Sequence, residues 1–174
     1  MKRNIGFWQW VGFFAVSATG TVLHFLYDWT KSPIAALISG VNESTWEHMK
    51  LLFFPMFLFA IIEYFKVGKD YKNFWCIKLK GVLLGLLLIP VCFYTLNGVF
   101  GKTPDWINIG IFFVSVAGAF IYESKQFEDD FVTCKSEKTA ISIFVLIAVA
   151  FFIFTFLPPR LPLFQDPVDG SFGM

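Results

Sequence analysis

A chain of 174 residues that is 56% hydrophobic, with 24 Phe and only 16% charged residues, is too apolar for a soluble domain of its length. Its net charge of +1 offers no field that would gather nucleic acid. Composition therefore points to an all-α integral membrane protein with the lipid bilayer as its solvent.

A crossing helix needs about 20 mostly apolar residues to cover roughly 30 Å of hydrocarbon. Five stretches qualify, at about 5–27, 48–64, 79–100, 106–122 and 139–157. They predict one domain, 1–174, built as a compact bundle of five transmembrane helices. The first stretch is too long for a signal peptide and lacks a small-residue cleavage pattern, so it is expected to stay. It carries Ser17, Thr21, His24 and Asp28 at helical steps that place them on one face, with Gly20 beside them. Small and polar residues on such a face pack against other helices. His24 and Asp28 ask for more, because ionisable groups near a span's end are costly unless they reach water or each other.

The segment "TKSPIAALIS" follows, with Ser32 as a cap and Pro33 at the first helical position. Its apolar part is only one or two turns long. It predicts a short interfacial or re-entrant helix between the first two spans, tolerated at depth only against protein.

The second span opens with "VNESTWEHMKLLFFP". Ser44 and Glu47 have capping-box spacing, Asn42 is a further cap candidate, and Glu43 and Glu47 suit the positive end of the helix dipole. Lys50 reads as a side chain that snorkels to the interface. Capping leaves His48 unexplained. The chain has two histidines, and both fall at the same end of the bundle. Asn108, Tyr94 and Asn97 at the same ends of later spans extend the polar set. Glu63, at the opposite end, reads as an interfacial charge paired with Lys66 or Lys69. Pro55 and Pro90 lie inside the second and third spans.

The connector "ESKQFEDDFVTCKSEK" is a solvated loop by composition. The tail 158–174, with its prolines and its Asp166-Pro167 and Asp169-Gly170 steps, predicts a structured, turn-rich segment on the outer face that closes over the polar cluster as a lid.

With the N-terminus inside, Lys2, Arg3, Lys66, Lys69, Lys72, Lys78, Lys80, Lys125, Lys135 and Lys138 are internal, and Lys31, Lys50, Lys102 and Arg160 external. Ten against four follows the positive-inside rule and predicts a cytoplasmic N-terminus and an extracytoplasmic C-terminus. Cys76, Cys92 and Cys134 then read as three reduced thiols, with no disulfide framework and no zinc spacing.

"LHFLYDW", "VNESTWEHMKLLFFP" and "PPRLPLFQDPVDGSFG" together resemble a family of small bacterial membrane proteins known as domain of unknown function 6512. The resemblance spans the chain and implies a multi-pass protein of the bacterial plasma membrane, with no activity attached. In chemistry alone, a His followed four residues later by an acid near a helix end is similar to the pocket of the emopamil-binding group of sterol isomerases, whose other motifs are absent here.

Three functional readings follow. The first is a membrane-embedded site at the outer face. Its catalytic candidates are His24, Asp28, Glu47 and His48, and its metal-ligand candidates are His24, Asp28, Glu43, Glu47 and His48. Asn42, Glu43, Lys50, Tyr94, Asn97 and Asp166 are its ligand-binding candidates. Such a donor set suits a divalent metal such as zinc, manganese or iron, and acts on a hydrophobic, lipid-like small molecule. The second is a small-molecule capture or transport subunit, which the chain resembles in size and layout. The third is a structural protein whose polar groups only cap helices and fix the register of the bundle.

Overall fold

A computed structural model describes residues 4–129, 134 and 136–174; Lys2, Arg3 and Lys135, used in the charge count, lie outside the described residues. The chain forms α1 (Ile5–Thr30), α2 (Pro33–Ala36), α3 (Thr45–Lys66), α4 (Phe74–Phe100), α5 (Asp105–Asp129) and α6 (Glu137–Phe156), with 3₁₀ turns at Gly68–Asp70 and Pro162–Phe164. Five helices are long and apolar enough to cross a membrane. At 20 to 27 residues they measure about 30 to 40 Å at 1.5 Å per residue, which covers the hydrocarbon layer.

The sequence makes these elements by ordinary capping. Asn4 accepts from the Phe7 amide at 3.2 Å to start α1, and Ser32 caps α2 with Pro33 at its first position. Ser44 caps α3 through the Glu47 amide, but only half of the expected capping box forms. The Ser44 amide donates to Asn42, and the Glu47 carboxylate turns away to the Val41 amide. Pro55 and Pro90 stay within continuous helices.

α3 is the central helix. Leu51 to Met56 are all buried, and Phe53, Phe54 and Phe57 stack against Phe144, Phe151 and Phe152 of α6. α1 lies against α3 and α5, burying Ile5, Gln9, Gly12, Val16, Ser17, Gly20 and Leu23. The expected polar stripe is therefore split: Ser17 and Gly20 face the bundle, while Thr21 and Asp28 are exposed. Large apolar side chains cover the outside, with Trp29 and Trp106 exposed at one end, as in an aromatic belt.

Two expectations are corrected. Cys76 and Cys134 are not separate thiols but a disulfide pair, their Cα atoms 6.0 Å apart, because the segment entering α6 runs beside the first turn of α4. Cys92 stays free. Glu63 is not an interfacial charge: it is fully buried and pairs with Lys78. The spans are longer than the sequence reading drew them, so Lys78 and Glu123 lie inside helices rather than in the loops.

Candidate functional site

Three side chains converge where α1 ends and α3 begins. His24 comes from the last turns of α1, His48 from the first turn of α3, and Glu43 from the loop leading into α3. Glu43 lies between the imidazoles, with its Oε1 3.8 Å from His24 Nε2 and its Oε2 3.5 Å from His48 Nε2. The rings stand 5.5 Å apart, and one donor atom from each residue falls within 4.8 Å of the others.

The backbone fixes which nitrogen is free. His48 Nδ1 lies 3.0 Å from the Ser44 carbonyl, which can only accept, so Nδ1 carries a proton, and in the neutral imidazole the lone pair is the one on Nε2. That lone pair faces a carboxylate. Two acceptors at such range repel unless a positive species, a proton or a metal cation, sits between them. Two imidazoles and one carboxylate are the donor set of many catalytic zinc sites and of non-haem iron sites with open coordination positions. Zinc bonds of about 2.0 to 2.1 Å would place neighbouring donors about 3.3 Å apart, so donors that now stand up to 4.8 Å apart would have to draw closer.

The tail builds the loop that carries Glu43. Asp166, almost fully buried, accepts from the Glu43 amide at 2.9 Å through one oxygen and from the Val168 amide at 2.7 Å through the other. Asn42 donates to the Gly173 carbonyl, and the Met174 amide donates to the Thr155 carbonyl. Phe164 packs on Trp46 at the start of α3.

Two spaces open from the cluster. A chamber of about 280 Å³ is walled by His24, Glu43 and His48 with Asn97, Lys102, Thr103, Asn108 and the tail's Pro167 and Val168. A smaller space of about 130 Å³ continues between α1 and α5 along Phe25, Leu51, Ile109, Phe112 and Phe113, and shares His24, His48 and Asn108 with the chamber. Gly20 permits this approach: a β-carbon there would stand 2.5 Å from the Phe112 ring and 2.8 Å from the Leu51 carbonyl.

The model of a family of unknown function, DUF6512, matches residues 1–174. The chain belongs to that family. No curated protein and no solved structure matches it.

In this DUF6512 member the structure brings together only part of the set read from the sequence. His24, Glu43 and His48 meet, and Asn97 joins the chamber wall while bonding the Thr103 amide. Asn42 and Asp166 brace the loop instead of lining the centre. Asp28 is absent from the site, turned outward and paired with exposed Lys31 at 2.7 Å, because it lies one turn past His24 and beyond the neighbouring helices. Glu47 and Lys50 face the opposite side of α3. There they pair at 2.6 Å, and Lys50 also donates to the Ala36 carbonyl and to Thr155, each at 2.8 Å. All three ammonium donors are satisfied, so Lys50 is buried and does not snorkel. Tyr94 points outward, 41% exposed.

Sequence reasoning missed Thr103 and Lys102 in the chamber. It also missed a second buried cluster at the other end of the DUF6512 bundle, where Lys78 joins Glu63 and Glu123. The available signal was that both acids fall in stretches able to continue as helix.

Proposed function

We propose that this protein is a membrane-embedded metal-binding protein that seats the polar head of an amphiphile at a divalent cation held by His24, Glu43 and His48. One observation carries the reading: two imidazole nitrogens, one with its lone pair fixed by a backbone hydrogen bond, converge on a single carboxylate at the mouth of a chamber. A cation there removes the acceptor–acceptor conflict and leaves coordination positions open toward the chamber. When bound it would supply Lewis-acid polarisation of a carbonyl or phosphoryl oxygen.

The shape of the site supports a lipid-like ligand. Lys102 and the cation favour an anionic or strongly polar head in the 280 Å³ chamber. The narrow apolar extension between α1 and α5 accepts part of a chain.

The orientation follows from charge. With buried Lys50 and Lys78 set aside, nine basic residues lie on the N-terminal side and three on the other. We therefore place the N-terminus in the cytoplasm of a bacterial cell and the chamber outside.

Thermal denaturation tests the cation. Chelator-treated protein is expected to gain about 2.7 kcal/mol of stability when free zinc or manganese reaches 100 times its dissociation constant. His24→Ala should remove that gain, and an unresponsive wild type would overturn the reading. Asp166→Ala, which frees the Glu43 loop, is expected to weaken binding about 10- to 100-fold, the usual scale for a partner that orients a ligand. Titration of the same cations measures it.

A further inference from the structure

At the end of the bundle away from the histidines, Glu63, Lys78 and Glu123 form a group with no solvent exposure at all. Lys78 Nζ lies 2.8 Å from Glu63 Oε2 and in direct contact with Glu123 Oε2. The rings of Phe59 and Phe120 flank the ammonium. Gln9 from α1 donates its amide to Glu63 Oε1 at 2.7 Å.

Charge does not balance in this group. Two carboxylates face one ammonium, which leaves one uncompensated negative charge in a dry interior, at a cost of several kcal/mol. Helices α1, α3 and α4 all pack on α5, and the charged groups that act on Glu123 are Lys78 and Glu63, while α1 contributes only neutral Gln9. The two acids are not equivalent. Glu63 has a polar neighbour at each oxygen: the Gln9 amide donates to Oε1, and the Lys78 ammonium lies 2.8 Å from Oε2 as an ion-pair contact without hydrogen-bond alignment. Glu123 has Lys78 at Oε2, and its Oε1 has no hydrogen-bond partner among the described residues. That oxygen rests on Gly81, where a β-carbon would stand 2.5 Å from Glu123 Cγ, so the contact leaves no room beside it for a hydrated ion. A proton fits there.

We infer that Glu63, Lys78 and Glu123 form a proton-binding site within the membrane, holding one proton that rests on Glu123. An entry route adjoins it. A cleft of about 560 Å³ between α1 and α5 is lined by Gln9 and Phe120, both in contact with the triad, and by Ser124, Lys125 and Glu128 toward the helix end. The proton therefore exchanges with the side that carries the N-terminus. The site has the parts a proton-coupled conformational step needs, and it is independent of the histidine cluster.

Infrared spectroscopy of the purified protein in lipid at neutral pH tests this directly. The wild type should show the carbonyl band of one protonated carboxylic acid, shifting in heavy water. Glu123→Gln and Glu63→Gln should each abolish it, because either leaves one carboxylate against one ammonium. A wild type without the band, or a band that survives both substitutions, overturns the inference. A second measurement needs only the melting temperature. The folded wild type binds one proton more than the unfolded chain at neutral pH, so its folding constant should fall roughly tenfold per pH unit through neutral pH, from above the free glutamate value up to the pH at which Glu123 itself ionises, where the slope ends. Glu123→Gln should lose that slope. Stabilisation by sodium over choline, in place of the pH slope, would mean a metal cation occupies the site and would equally overturn the proposal.

Discussion

Lys78→Met is expected to leave little folded protein, while Lys80→Met, two residues along the same helix, leaves the yield unchanged. Lys80 is exposed; among the described residues Lys78 is the sole counter-charge to the two fully buried acids, Glu63 and Glu123. Removing one partner of a buried ion pair costs about 3 to 5 kcal/mol, because the remaining charge cannot return to water. That is a large share of a total stability of about 5 to 15 kcal/mol. The loss should be specific to charge, so Lys78→Met combined with Glu63→Gln and Glu123→Gln should recover folded material. Size-exclusion profiles and melting curves of the three proteins measure this. A Lys78→Met protein that melts like the wild type would show that the acids do not depend on the ammonium.

His48→Ala carries the second large effect, on binding instead of folding. His48 is half-buried, and the start of α3 is capped by Ser44 and braced by Asn42, none of which needs the imidazole. The substitution deletes one of three cation donors, and should weaken divalent-metal affinity by at least about 100-fold, the upper figure for losing a mere orienting partner. Asp28→Ala is the matched control. Its exposed pair with Lys31 is worth about 0.2 to 1 kcal/mol at most, and among the described residues it makes no hydrogen bond or ion pair to the chamber, acting on His24 only through its charge. Calorimetric titration with zinc should separate the two variants cleanly, and equal affinities would remove His48 from the site.

The bundle itself was readable from hydropathy, since runs of about 20 apolar residues leave few alternatives in lipid. The meeting of His24, Glu43 and His48 was readable as well, because both histidines fall at the same end of adjacent helices. Rotation about the helix axis was not. Glu47 and His48 are neighbours in sequence and point to different sides of α3, and Asp28 leaves the face that His24 shares with Gly20. A step of one residue turns a helix by about 100°, and only the packing of α1 on α3 and α5 decides which residue faces in. The triad was hidden by a different cause. Lys78 and Glu123 sit near the ends of apolar runs, where a charge normally marks the exit to water. Their burial became visible only once α4 and α5 were seen to extend past them. Lys50 was misread for another reason: besides nearby Glu47, its partners Ala36 and Thr155 are far away in sequence.

The metal content of protein purified from membranes without chelator bears most directly on the central claim. Elemental analysis should find close to one equivalent of a divalent transition metal in the wild type and almost none in His48→Ala. A metal-free wild type, well folded and unresponsive to added zinc, manganese or iron, would contradict it.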